Sequence, residues 1–167
     1  LLTEVGEHTI ATCTETGYYA NREVATGIIQ GYPEAEKALE KVHTPNLKTI
    51  EEVAKFLGVQ QHQTAKVVFY DSDEHGKPVI AVIRGDREIC EPKLAKIIRA
   101  IPTPANDARI RGAGGVPGFA TPMGLDKSKW RIVVDSTVAA SNNLVTGANE
   151  TDYHYKNFNL ERDLPGV

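Results

Sequence analysis

Cysteine, tryptophan and methionine are scarce in this 167-residue chain, at two, one and one residues. Cys13 and Cys90 cannot build a disulfide framework, and so few thiols suit a reducing compartment, so a cytoplasmic protein is expected. Cys13 has Thr16 where a Cys-x-x-Cys partner would stand, and no Cys–His cluster has metal-ligand spacing, so zinc is not expected. No apolar run approaches the ~18 residues of a membrane span. Also missing are a Gly-x-Ser-x-Gly nucleophile elbow and a Gly-x-x-x-x-Gly-Lys-Ser/Thr phosphate loop. Positive charge is not in excess: the net charge is -3, which leaves no basic footprint for gripping duplex nucleic acid. Contact with RNA would then involve a small part of it, or borrow affinity from another domain. Catalysis, if present, has to rest on positioning and electrostatics rather than on a protein nucleophile.

What is present suits one globular domain, or one with a small appendage: 41% of residues are hydrophobic and 25% charged. The start lacks the basic flank and long apolar stretch of a signal peptide, and it lacks a methionine, so a fragment of a longer chain is expected. Residues 1–32 are rich in Thr and Gly and read as an extended leading segment; residues 33–167 form the domain proper. A short polar helix is expected over 34–41, ended by His43-Thr44-Pro45, because the residue before a proline is pushed out of the α region. Thr49 and Glu52 then form a capping box. Ile50, Val53, Ala54 and Leu57 follow at helical spacing, and Gly58 sits at the C-terminal cap. The run Thr64-Ala65-Lys66-Val67-Val68-Phe69-Tyr70 reads as a strand, paired across a polar loop over 71–77 with a second strand over 78–83. A second amphipathic helix is expected over 91–100, with Pro92 in its first turn and Leu94, Ile97, Ile98 and Ile101 on one face. Residues 102–124 are dense in proline and glycine and read as a loop of special backbone geometry. Further strands are expected over 130–134, ending at Asp135, over 144–145 and over 153–160. The class is α+β: two helices against a mixed, largely antiparallel sheet of about five to six strands.

Lys66 is the most informative residue, a single lysine within an apolar run. Strand alternation puts Ala65, Val67 and Phe69 on one face and Lys66, Val68 and Tyr70 on the other. The amine there must snorkel to solvent, guard a strand edge, or meet an anion or carbonyl in a pocket. Gly118-Phe119-Ala120-Thr121-Pro122 is either a turn or a loop whose backbone N–H groups are aimed at a ligand. His154 is a surface or satisfied buried histidine, or a pocket residue. Asp135 is a turn-forming carboxylate or a strand-end pocket residue, and Thr44 a local hydrogen-bonder or a pocket one.

Four blocks in register carry a family resemblance: His43-Thr44-Pro45 with Lys48-Thr49-Ile50-Glu51-Glu52-Val53; Thr64-Ala65-Lys66; Arg84-Gly85-Asp86-Arg87-Glu88 with Lys93-Leu94; and the loop from Gly118 leading to Gly147-Ala148-Asn149-Glu150, Tyr153-His154-Tyr155 and Arg162-Asp163-Leu164. Together they resemble the editing domain inserted in bacterial prolyl-tRNA synthetases, a YbaK-like fold. Upstream, Gly17-Tyr18-Tyr19-Ala20-Asn21-Arg22-Glu23 resembles the stretch that leads into that insertion. The resemblance implies hydrolysis of tRNA(Pro) mischarged with alanine, by a positioned water and without a metal or cofactor, ATP serving only a synthetic domain outside this chain. It implies the aminoacylated 3′ end of tRNA(Pro) and the rest of the synthetase as partners, and a homodimeric full-length enzyme away from membranes. Lys66, Gly118 and His154 are the implied catalytic positions. Thr44, Phe119, Ala120, Thr121, Pro122 and Asp135 are the implied substrate-binding ones. Two alternatives stand beside it: a free-standing deacylase acting on another mischarged tRNA, such as cysteinyl-tRNA(Pro), and an inactive binding module with the same fold.

Overall fold

A computed structural model describes residues 9–71 and 77–167. Within them β1 (Ile10–Cys13) and β2 (Tyr18–Asn21) form a separate antiparallel hairpin. Three strands, β3 (Glu40–His43), β9 (Tyr153–Phe158) and β8 (Leu144–Gly147), make an antiparallel sheet in the order β3-β9-β8. A four-stranded sheet runs β6 (Thr103–Pro104), β4 (Ala65–Asp71), β5 (Val79–Arg84), β7 (Arg131–Val134). Only β5 and β7 pair in parallel there. A single parallel bridge, Thr64 to Val145, joins the two larger sheets.

Alternation along β4 holds. Ala65 and Phe69 enter one core with Ile80, Val82, Trp130, Leu144 and Phe158, and Tyr70 enters a second with Val79, Ala81, Leu94 and Ile98. Central β5 is buried at every position because both of its faces are covered, so it reads as an unbroken apolar run. Phe69 meets Trp130 edge-to-face at 5.5 Å, the geometry that ring quadrupoles favour. Asp71 closes β4, so Lys66 is not the only charge in its strand.

Helix α1 (Ile50–Leu57) has the expected capping box, and Gly58 adopts the left-handed conformation at φ 68°. Helix α2 (Glu91–Ile98) stops before Ala100, because Arg99 turns left-handed at φ 60°. Leu94 and Ile98, one turn apart, are buried, whereas Ile97 and Ile101 are 52% and 86% exposed: Ile97 lies off that line and Ile101 beyond the helix end.

Residues 34–41 are not helical. Their backbone is captured from outside: Asn143 accepts from Lys37 N and donates to the Ala35 carbonyl, Asn157 donates to Ala38, and Arg162 to Lys37. A short polar segment with no apolar stripe gains little by coiling, so these tertiary bonds decide its path and Glu40–His43 becomes a strand. Residues 102–124 are not all loop, since they hold β6 and α3 (Asp107–Gly112), capped by Asn106. Helices α3, α4 (Ser136–Ala139) and α5 (Leu160–Asp163) have six, four and four residues, too few for periodicity to register. The strands likewise number nine among the described residues, spread over three sheets rather than one. The 71–77 turn lies largely outside the described residues, although the β4–β5 pairing it was expected to close is present.

Candidate functional site

Past the Thr64–Val145 bridge a cavity of about 180 Å³ lies between β4 and β8. Its lining comes from Lys48, Thr49, Ile50 and Val53 at and in α1, Thr64 to Val67, Gly118 and Ala120, Val145 to Gly147, and His154. The inner surface is largely apolar, with Val53, Ala65, Val67, Ala120 and Val145. Among the described residues, two lysines, Lys48 and Lys66, are its charged members and no carboxylate lines it. Two wider clefts, of about 380 and 420 Å³, lie elsewhere, the first beside Cys90 and the second beside Trp130.

Of the sequence-derived positions, Lys66, Gly118, Ala120 and His154 meet at this lining. The Lys66 side chain is 21% exposed and its Nζ donates to Glu88 Oε1 at 2.6 Å, while Glu88 itself is 84% exposed. Such a carboxylate can swing aside, so the ion pair is a resting contact. Thr44, fully buried, stands behind His154 with Oγ1 2.6 Å from Nδ1. Phe119 is buried with its ring 5.6 Å from the imidazole. Thr44 and Phe119 therefore hold His154 in place without themselves lining the cavity. Thr121 and Pro122, next in the loop, are not part of the lining. Asp135 caps α4, accepting from the N–H of Thr137 at 2.9 Å and from its hydroxyl, and lies outside the lining.

The loop is shaped by its backbone. Gly118 sits at φ 83°, where a side chain is strained, and a β-carbon there would stand 3.2–3.5 Å from the Lys48 methylenes. Asn149 clamps the next turn: Oδ1 accepts from Thr121 N, and Nδ2 donates to the carbonyls of Thr121 and Met123. Phe119 N–H is taken by the Val116 carbonyl, whereas the N–H groups of Gly118 and Ala120 have no hydrogen-bond partner among the described residues. Both residues belong to the cavity lining, and neither amide is engaged elsewhere among the described residues.

Sequence reasoning singled out none of Gly147, Thr146, Asn149 or Lys48 as site residues. Gly147 is required by close approach, since a β-carbon on it would lie 2.2 Å from the Phe119 carbonyl oxygen. Gly147 and Asn149 fell within a block quoted for its resemblance, but no local rule marks either, because each acts on a chain segment some 25 or more residues away.

Burial pushes His154 down to about 4, so the imidazole is neutral near pH 7 and serves as a polar wall rather than a cation. The linkage has a definite sign. An unfolded histidine titrates near 6.5 and the folded one near 4, so the unfolded state binds more protons between those values. This contribution is complete above pH 6.5 and is lost as pH falls toward 4, by up to about 3 kcal/mol. Urea unfolding at pH 7 and pH 4.5 should show that loss, and His154→Asn should flatten it. An unchanged pH slope in the variant would assign the effect to other groups.

Among the described residues no group of three or more His, Cys, Asp or Glu side chains is placed to hold a metal ion, and no helix is long and apolar enough to cross a membrane. Comparison with known proteins agrees with the fold and the blocks. The chain is 40% identical over 166 residues to the proline–tRNA ligase of Bacillus subtilis, and 41% identical over 166 residues to that of Persephonella marina. Each alignment takes in 97% of this chain and 29% of the ligase, so the chain spans under a third of those relatives. Among solved structures, a proposed trans-editing enzyme for prolyl-tRNA synthetase has the same fold at TM-score 0.66 and 16% identity, covering 76% of this chain and 80% of that one. A hypothetical protein of known structure matches at TM-score 0.67 and 18% identity, over 78% of this chain and 88% of its own. The sequence profile of the aminoacyl-tRNA editing domain matches residues 44–164, and the chain belongs to that family.

Proposed function

We propose that this chain is the editing part of a proline–tRNA ligase and hydrolyses the ester of tRNA(Pro) mischarged with alanine. The observation that carries the reading is the cavity itself: small, apolar inside, with two lysines in its lining and two loop amides not engaged elsewhere among the described residues. A synthetic site shaped for proline cannot strongly reject the smaller alanine, since a missing methylene or two is worth only ~1–3 kcal/mol. A second pocket that admits a methyl and excludes a pyrrolidine ring supplies the missing discrimination. Ala65, Val67, Ala120 and Val145 are apolar residues of the cavity lining against which the amino-acid side chain would pack.

In this reading the alanyl methyl enters the apolar end and the ester stays at the lysine-bearing mouth. A water oxygen attacks the ester carbonyl and the carbonyl-to-ribose oxygen bond breaks. Free alanine leaves, and the tRNA keeps its terminal ribose hydroxyl. Lys66 and the amides of Gly118 and Ala120 are suited to the oxygen charge that builds during attack. Neutral His154 and the substrate's own ribose hydroxyl are the groups available to orient the water. The reaction so described calls on no cofactor. Weak overall charge is acceptable because the remainder of the synthetase, cytoplasmic and homodimeric in this reading, would hold the tRNA and raise its local concentration. The leading segment to residue 32 is then the stretch that joins the editing part to that remainder.

The test is deacylation of Ala-, Cys- and Pro-tRNA(Pro) by this chain. Ala-tRNA(Pro) should be hydrolysed and Pro-tRNA(Pro) spared. Preference for the cysteinyl ester would favour a deacylase of different specificity, and efficient hydrolysis of Pro-tRNA(Pro) would sink the proofreading assignment.

A further inference from the structure

We infer that Lys48 binds the phosphate of the substrate's 3′-terminal nucleotide, an inference that rests on the editing reading above. Lys48 and Lys66 are the charged residues of the cavity lining among the described residues, and their amines differ in state. Lys66 Nζ is held by Glu88 at 2.6 Å, whereas Lys48 Nζ makes no hydrogen bond or ion pair among the described residues. The carboxylate that approaches the Lys48 backbone is occupied otherwise. Glu52 Oε2 accepts from Lys48 N at 3.4 Å, from Thr49 N at 3.1 Å and from Thr49 Oγ1 at 2.8 Å, as part of the α1 capping box.

Gly118 marks where the Lys48 stem runs. A β-carbon built on that glycine would stand 3.2 Å from Lys48 Cγ, 3.3 Å from Cδ and 3.5 Å from Cβ, so the methylenes lie along the loop. Nζ is two bonds beyond Cδ, so rotation about those bonds leaves it beside a residue of the cavity lining. Lys48 as a whole is exposed, with its stem against backbone and its head free to stay hydrated. A lysine held in this way can meet an anion with little of its chain left to order.

An aminoacylated tRNA end brings its charge to a fixed place. The ester is neutral, and the nearest formal negative charge is the phosphate on the 5′ side of the same ribose. With the methyl in the apolar end and the ester at Lys66, that phosphate stays outside the cavity, on the solvent side where Lys48 is the second lining cation. A compact ammonium with three donors suits a phosphate oxygen. The net charge of -3 gives the chain no general attraction for RNA, so a local cation matters more to the register in which the terminal nucleotide docks. Lys66 then serves the reacting ester, and Lys48 serves register.

The test uses two alanylated tRNA(Pro) substrates, one natural and one whose last phosphodiester is replaced by a neutral methylphosphonate. Wild type is compared with Lys48→Met, which keeps the stem and removes the charge, and with Lys48→Arg, which keeps the charge. On the natural substrate Lys48→Met should raise KM about 3- to 10-fold with kcat unchanged, the size of one solvent-open charged contact. The slope of log KM against log[KCl] should fall by about 0.7, the value for one phosphate of a single strand. Lys48→Arg should stay close to wild type. Wild type should lose the same factor on the methylphosphonate, and Lys48→Met should lose nothing more there. The melting temperature should not change, because no partner of the amine in the free protein is lost. A wild-type KM in Lys48→Met, or an equal loss on both substrates, would overturn the inference. Should wild type itself fail to hydrolyse natural Ala-tRNA(Pro), the editing reading falls first and the inference falls with it.

Discussion

Lys66→Ala is expected to reduce deacylation of Ala-tRNA(Pro) about 100- to 1000-fold, the range for removing one preorganised electrostatic donor from an active site. The fold should survive the change. Lys66 lies at the cavity lining with its amine held by Glu88, and the pair is open to solvent on the glutamate side, where ion pairs contribute little to stability. Lys66→Arg should not restore full activity, because a planar fork cannot replace a compact ammonium at a single oxygen. Glu88→Gln frees the amine of its resting partner and should leave turnover equal or raised. Wild-type turnover in Lys66→Ala, at unchanged melting temperature, would reduce this lysine to a solubility residue.

Gly147→Ala should abolish deacylation and destabilise the domain at the same time. Its β-carbon would lie 2.2 Å and 2.3 Å from the Phe119 carbonyl atoms and 2.4 Å from the Ala120 carbonyl oxygen. Those are backbone atoms that cannot swing away, so either the loop or β8 has to move, at a cost of about 1–3 kcal/mol. The shift would carry Gly118 and Ala120 off the lining and lift the Phe119 ring from His154. Gly118→Ala is the milder change, combining a strain of about 1–2 kcal/mol at positive φ with contact to the flexible Lys48 chain. Gly112→Ala is the control: it has open space and no positive φ, so thermal melting and activity should stay at wild-type values. If Gly147→Ala melts and edits as wild type does, the loop is not seated on β8 as described.

Local rules carried far where the signal was local. Thr49 with Glu52 and Gly58 placed both ends of α1, since capping depends on residues three or four apart. The alternation around Lys66 assigned β4's two faces to two cores, because strand geometry repeats every second residue. The same logic failed where partners are distant. Segment 34–41 followed Asn143, Asn157 and Arg162 rather than its own propensity, and no window of its sequence contains them. Short helices α3 to α5 left too few turns for a period.

At the site, the residues themselves placed Lys66, Gly118 and His154 on a short roster, each with a bland alternative, and the family resemblance joined them. Tertiary structure decided which ones share a cavity, setting Thr44 and Phe119 behind His154 and Asp135 on the α4 cap. It also raised residues that no pattern marks: Gly147 by the approach of a loop, and Asn149 by three bonds across a turn. Composition, capping and alternation are properties of neighbours along the chain, so the sequence by itself determined the α+β class, α1, the β4–β5 pair and the candidate lysine. The cavity is a property of neighbours in space, where β4 meets β8 at one bridge and a glycine-rich loop lies against β8. Only the folded chain could decide its size and its neutral histidine.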